Sequence, residues 1–224
     1  MHKILLAILI FISINSIGQQ WSDYEFDGNL TVQIPEKFEI MDTLGQHIVR
    51  AQIDNALVMI QRIPNKGDHA TDIRDKNELH DNYKGFQNGF IGSQEGKIKD
   101  HEIIEKDGLQ LIQFSYYATM GEEKQLRHCM TVFVNENWYA IQFWEVESMT
   151  DELTKDREQL FSSIKFPAGM GLKNQMSNSI GRSTSYNLGY FIGKNLGYIL
   201  MMMIVVSTVV WISRKVKRQS TNAQ

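Results

Sequence analysis

The sequence predicts an α+β fold, an α/β/α sandwich around a central antiparallel sheet, with one C-terminal transmembrane helix. Short segments of alternating apolar residues are joined by hairpin-like turns, which is typical of antiparallel strands. Two amphipathic helical segments lie among these strands. A charge-free apolar segment near the C-terminus is followed by a cluster of basic residues, which is typical of a membrane span.

The chain begins with a predicted signal peptide over residues 1–18. An apolar run over 4–14 follows Lys3 and is too short to cross a bilayer, because a spanning helix needs about 20 residues. Small residues precede the predicted cleavage after Gly18. The alternative is an uncleaved N-terminal anchor, which the polar residues that follow the run disfavour.

Residues 19–167 form the predicted exported domain, which is long enough to bury one hydrophobic core. This stretch carries 15 of the lysines and arginines and all 26 of the acidic residues. Such an acidic surface argues against nucleic acid as a partner. Cys129 is the only cysteine, so the domain has no internal disulfide. We interpret Cys129 as a sheet residue, because the neighbouring His128 would point to the opposite face of a strand.

The first half of this domain is predicted to contain a strand, a hairpin and a helix. The segment over 21–27 is interpreted as a lead-in, and Leu30 to Ile34 alternates as a strand before Pro35. A hairpin follows over 46–53 and 56–63. A helix is expected over 72–90, where one face carries the apolar residues Leu79, Tyr83, Phe86 and Phe90.

The second half is predicted to be an antiparallel meander closed by a helix. Its four strands are expected over 97–106, 109–119, 125–134 and 138–146. The last two strands are apolar on both faces, which indicates a sheet that is covered on both sides. A closing helix over 150–162, with Thr150 as its cap, supplies one cover.

The chain resembles the Mog1/PsbP-like family through two segments, NLTVQIPEKFEI and LTKDREQLFSSIKF. In that family an early strand runs into a proline-containing turn, and a helix in the register of Phe161, Ile164 and Phe166 closes the domain. The resemblance spans Trp21 to Pro167 and implies an α/β/α sandwich. Members include a small-GTPase-binding nuclear protein, a photosystem subunit and many bacterial exported proteins. The resemblance implies no set of functional residues.

The C-terminal part is predicted to be a tether and an anchor. Residues 168–187 are rich in glycine, serine and asparagine, which is typical of a flexible linker. A transmembrane helix is expected over 188–213. Glycines recur on one face of this helix and predict close packing against a second helix, at Gly189, Gly193 and Gly197. The alternative is that glycine is simply common in membrane helices.

The basic tail over 214–224 predicts the orientation in the membrane. Cations directly after a span stay in the cytoplasm, and here they are Arg214, Lys215, Lys217 and Arg218. The sequence therefore predicts a single-pass protein, in a bacterial inner membrane, with its domain outside and its C-terminus in the cytoplasm. The lipid bilayer is one partner, and a homo-oligomer or another envelope protein is the other expected partner.

No arrangement of residues predicts catalysis, and we expect no cofactor and no metal site. The densest cluster of metal-ligand types is interpreted as a solvated face and comprises Asp68, His69, Asp72, Asp75, His80 and Asp81. Glu145 and Glu147 share a strand face but are interpreted as an exposed rim. The expected function is a non-enzymatic, membrane-tethered interaction or scaffold module. The alternative is a small-ligand-binding domain whose cleft is lined by Tyr116, Tyr117 or Trp144.

Overall fold

The computed structural model describes residues 20–43, 45–66, 70–120, 123–177, 187 and 189–196. The strands in these residues are β1 (Trp21–Glu25), β2 (Thr31–Pro35), β3 (Phe38–Thr43), β4 (Gln46–Ile53), β5 (Ala56–Pro64), β6 (Lys97–Lys106), β7 (Leu109–Met120), β8 (Glu123–Val134) and β9 (Asn137–Val146). The helices are α1 (Lys76–Gly92) and α2 (Thr154–Ser162), with short 3₁₀ turns at Glu147–Met149 and Leu172–Gln175.

A seven-stranded antiparallel sheet in the order β3-β4-β5-β9-β8-β7-β6 organises the domain, and β1 and β2 form a separate hairpin. Strands β6 to β9 follow one another as neighbours, which confirms the predicted meander. Strand β5 pairs with β9, so the early hairpin extends the same sheet. The α+β class with helices packed on a large antiparallel sheet is therefore confirmed.

Two strands and the starts of both helices differ from the sequence prediction, since α1 begins at Lys76 rather than at 72. The segment interpreted as a lead-in contains β1, because its backbone pairs with β2 from Trp21 opposite Pro35 onwards. Strand β3 was not predicted; it is an edge strand whose residues are exposed or half-buried, so its sequence lacks a clear apolar alternation. Helix α2 begins at Thr154, and the 3₁₀ turn precedes it. Thr150 follows that turn as its C-cap, and its Oγ1 donates to the Glu147 carbonyl at 2.9 Å.

Helix α1 begins at Lys76, where the Asp75 carboxylate accepts the backbone N–H groups of Asn77 and Glu78 at 2.8 and 2.9 Å. This cap satisfies two of the donors that a helix N-terminus leaves open. The predicted apolar stripe is confirmed, because its four residues are completely buried: Leu79, Tyr83, Phe86 and Phe90.

The two faces of the sheet carry two separate apolar clusters. Helix α2 and hairpin β1-β2 cover one face, where Leu160 packs with residues such as Val132 and Ile141. Helix α1 covers the other face. There Trp138 stacks on Phe86 with ring centroids 5.6 Å apart and planes at 6°, as core packing under a helix predicts.

Residues 168–177, predicted as the first half of a flexible linker, are packed against the domain. Gln175 is fully buried, and its Nε2 lies at 2.8 to 3.0 Å from the Tyr83 hydroxyl and the carbonyls of Gln110 and Phe133. Its Oε1 accepts the Gln110 N–H at 2.8 Å. The Ser177 N–H then donates to the Ile73 carbonyl at 2.8 Å. The packed unit therefore extends beyond Pro167 to Ser177.

Gln175→Ala is expected to destabilise the chain by about 3 kcal/mol, because the Gln110 N–H and the buried Phe133 carbonyl lose a hydrogen bond at once and the buried side chain leaves a cavity. The measurement is the free energy of unfolding of the full-length protein in urea. Lys173→Ala is the matched control, since Lys173 lies exposed on the same 3₁₀ turn. Equal stability of the two variants would contradict the role assigned to Gln175.

Candidate functional site

Arg127 is buried in the sheet beneath α1, with only 1% of its surface exposed. Strand β8 directs it to the same face as Cys129 and Phe133, into an apolar cluster. Its Nε and Nη2 donate to Gln125 Oε1 at 2.9 and 2.6 Å, and its Nη1 donates to Gln94 Oε1. The guanidinium carbon lies 3.8 Å from the centroid of the Trp144 ring, within the range of a cation–π interaction.

Gln94 joins Arg127 to Tyr116 at the end of α1. The Tyr116 hydroxyl donates to Gln94 Oε1 at 3.1 Å. Burial raises the pKa of Tyr116, and the nearby Arg127 charge only partly opposes this effect. The Tyr116 hydroxyl therefore stays protonated at neutral pH and acts as a donor. Gln94 lies in the turn after α1, so the cluster is held by a short loop as well as by the sheet.

Arg127 makes no ion pair within the part of the chain that the structure describes. Other arginines there do: Arg62 contacts Asp27 at 3.0 Å, and Arg157 contacts Glu145 at 2.8 Å. A buried cation whose partners are neutral amides and an aromatic ring is costly, because water no longer solvates its charge. This unusual environment makes the Arg127 cluster the strongest candidate site.

Two of the three residues predicted to line a cleft belong to this cluster. Tyr116 and Trp144 lie on either side of Arg127, in the strands that flank β8. Tyr117 points to the opposite face, where Lys99 lies 6.0 Å from its ring centroid. Sequence reasoning missed Arg127, although one signal was present. Arg127 lies on the same strand face of β8 as Cys129, at a position where the alternation predicts an apolar residue.

A second buried charge lies on the opposite face of the sheet. The Glu145 side chain is completely buried and accepts Arg157 Nη1 on both oxygens at 2.8 Å. The ring of His128 lies 3.2 Å from the same carboxylate. The interpretation of Glu145 and Glu147 as an exposed rim is therefore wrong for Glu145, because α2 folds Arg157 over it. Glu147 lies in the 3₁₀ turn and does not join this pair.

The predicted cluster of metal-ligand types is dispersed where the structure describes it. Asp75 caps α1, and Asp72 lies 3.6 Å from Arg74. Asp68 and His69 lie outside the described residues. In the described part of the chain, no group of three or more histidine, cysteine or acidic side chains is placed to hold a metal ion.

Cys129 is a buried thiol rather than a reactive one. Only 1% of its surface is exposed, and its Sγ lies 3.4 Å from Thr131 Oγ1. Burial raises the pKa of Cys129 to about 12, with the Thr131 contact opposing the shift. His128 is not its partner, because it contacts Glu145 on the other face.

The native protein is therefore expected to resist thiol reagents at pH 8. With a pKa of about 12, only about one thiol in 10,000 is ionised at that pH, and the unfolded chain is far more reactive. The measurement is the rate of maleimide labelling with and without urea. Rapid labelling of the folded protein would contradict the burial of Cys129.

The first predicted packing glycines contact the chain's own helix α1. Residues 189–196 are helical and run alongside α1. A Cβ added at Gly189 would lie 2.9 Å from the Phe86 nitrogen, and one at Gly193 would lie 2.8 Å from the Phe90 nitrogen. Gly89 of α1 faces this segment in return, since its Cβ would lie 2.7 Å from the Tyr190 carbonyl carbon. The absence of side chains lets the two backbones approach closely.

The remaining residues predicted to act at the membrane lie outside the described residues. These are Gly197 on the predicted helix face and the tail residues Arg214, Lys215, Lys217 and Arg218. Among the described residues, no helix is both long enough and apolar enough to cross a membrane.

Solved structures of other proteins share this fold at low sequence identity. PsbP from the cyanobacterium Synechocystis is 13% identical with a TM-score of 0.48, and the alignment covers 68% of this chain and 96% of that one. LpqN of Mycobacterium tuberculosis, described as involved in cell envelope biogenesis, is 11% identical with a TM-score of 0.39 over 71% and 97%. The Ran-binding protein Mog1p of Saccharomyces cerevisiae is 7% identical with a TM-score of 0.39 over 71% and 100%.

The predicted resemblance to the Mog1/PsbP-like fold is confirmed. Neither a protein-family model nor a curated protein sequence matches this chain. The likeness is one of fold alone, and folds of this kind carry different functions.

Proposed function

We propose that this chain is a membrane-tethered, exported interaction or scaffold module without enzymatic activity. The observation that carries the proposal is the contact between α1 and residues 189–196, which begin the predicted span over 188–213. Leu196 is fully buried in the same apolar cluster as Phe86. A domain that packs against the start of its own anchor is held near the membrane in a fixed orientation.

The remaining apolar segment still has the length of a span. Residues 197–213 would form roughly 26 Å of helix, and spans begin at about 17 residues. The basic tail would then lie on the cytoplasmic side. The exported stretch is strongly acidic, so it would be repelled by anionic lipid. Its partner is therefore a protein of the envelope or a second copy of the chain in the membrane.

Single-cysteine labelling tests the tether and its orientation. Glu158→Cys places a thiol on the exposed face of α2, and Ser220→Cys places one in the predicted tail. A membrane-impermeant maleimide should label Glu158→Cys in intact bacterial spheroplasts and Ser220→Cys only after lysis. The wild-type chain is the control, because its own thiol is buried. The reverse pattern, or release of the protein by alkaline washing, would disprove the tether.

In-cell cross-linking of two differently tagged full-length copies tests the interaction role. We expect covalent adducts that contain either both tags or a membrane-envelope protein. If labelling establishes the topology but the protein forms no adduct, the interaction role fails while the tether stands.

The second candidate function is binding of a small ligand by the exported domain. The observation that favours it is Arg127, a buried cation flanked by the aromatic residues Tyr116 and Trp144. Thermal-shift screening of the full-length protein tests it, since a compound that binds the folded state raises the melting temperature.

A further inference from the structure

The cluster around Arg127 contains more hydrogen-bond donors than acceptors. The guanidinium group of Arg127 has five N–H bonds, and its acceptors are the side-chain oxygens of Gln125 and Gln94 and the nearby Tyr116 hydroxyl. Among the described residues, Gln94 Nε2 has no partner although Gln94 is only 7% exposed. The amide nitrogen of Gln94 is therefore left without an acceptor in an interior position, and none of the acceptors that contact Arg127 is charged.

The acceptors that are present carry no charge. Gln94 Oε1 receives both Arg127 Nη1 and the Tyr116 hydroxyl, so one neutral oxygen serves two donors. A carboxylate oxygen in place of an amide oxygen adds a charge–charge attraction to the guanidinium, which is stronger in the protein interior than in water. A negatively charged oxygen would therefore replace the Gln94 amide oxygen with a net gain in interaction energy.

We propose that Arg127 binds the carboxylate of a small organic acid, which displaces the Gln94 side chain from the guanidinium. The site offers a single cation, so it suits a monoanion better than the more highly charged phosphate dianion. The Trp144 ring and the apolar cluster beneath α1 would contact the apolar body of the acid.

Access requires a local movement only. Gln94 lies in the turn between α1 and β6, where Glu95 has a positive φ of 51°. Rotation of the Gln94 side chain would uncover Arg127 while the sheet pairs of Arg127 with Tyr116 and Trp144 stay intact. This site does not depend on membrane tethering, so the two proposals fail independently.

The test compares benzoate with benzamide, which has the same shape but no charge, on the full-length protein in a neutral detergent. Benzoate is expected to raise the melting temperature in a concentration-dependent way, and benzamide is expected to have no effect. Inorganic phosphate is the third probe. Equal shifts for benzoate and benzamide, no shift with any probe, or a shift with phosphate alone would overturn the proposal.

Variants locate the site. Arg127→Met should weaken benzoate binding at least about tenfold, because the charged donors are lost. Gln94→Ala should tighten it severalfold, because the competing acceptor is removed and this turn residue is not needed for the sheet. Arg74→Gln is the matched control, since Arg74 is exposed and precedes the start of α1, at the end of the helix opposite to Gln94. If Arg127→Met does not fold, unchanged or weaker binding by Gln94→Ala disproves the proposal.

Discussion

Gly89→Ala is expected to separate residues 189–196 from α1 and to be among the most disruptive single-methyl changes in the chain. The added Cβ would lie 2.7 Å from the Tyr190 carbonyl carbon and 2.9 Å from the Lys194 nitrogen, which are backbone atoms that cannot rotate away. Forcing such a contact costs about 1–3 kcal/mol, enough to open a helix pair held by close packing. Hydrogen exchange of residues 190–196 in the full-length protein measures the opening.

Gly92→Ala is the matched control, because it adds the same methyl group to the same helix. A Cβ at Gly92 meets no atom within 4 Å. Gly92→Ala should leave the hydrogen exchange of residues 190–196 unchanged and should stabilise α1 by less than about 1 kcal/mol. Identical exchange in Gly89→Ala and the wild type would show that the segment does not depend on the glycine contact.

Arg157→Met should reduce the stability of the domain by about 3 kcal/mol, because it leaves the buried Glu145 carboxylate without its cation. The Glu145 side chain has no exposed surface, so water cannot replace the lost contacts. The measurement is the free energy of unfolding of the full-length protein in urea.

The double variant Arg157→Met with Glu145→Leu separates a stranded charge from lost packing. Replacing both partners by apolar side chains should recover most of the stability, because neither desolvated charge remains. Arg74→Met controls for loss of an arginine at the surface, where an ion pair contributes little. A double variant as unstable as Arg157→Met alone would contradict this explanation.

Local patterns in the sequence predicted most of the sheet and the position of α1. Strands β4 to β9 alternate or are bounded by turn residues, and the apolar stripe of α1 repeats with the helical period. Strand β3 escaped prediction because its side chains are exposed or half-buried on both faces, so its sequence lacks a regular apolar alternation. The four residues that begin the predicted closing helix form a turn, because local signals define helix ends poorly.

The candidate site was only half visible in the sequence. Tyr116 and Trp144 were predicted to line a cleft from their residue type. Gln94, which connects them, carries no local pattern that marks a site, and the only signal for Arg127 is its place among the apolar residues of β8. Gln94 and Arg127 lie 33 positions apart in the chain and meet only because the turn after α1 folds over β8.

The sequence by itself determined the order of strand β2, strands β4 to β9 and the two helices, together with the acidic charge of the exported stretch, and it predicted an anchor after that stretch. These properties follow from composition and from periods of two or 3.6 residues, which are local. Only the tertiary structure decided that α1 and residues 189–196 pair through glycine backbones, and that Arg127 is buried without a carboxylate partner in the described part of the chain. Both depend on contacts between residues far apart in the chain, whose free energy arises from packing and from the removal of water around charges.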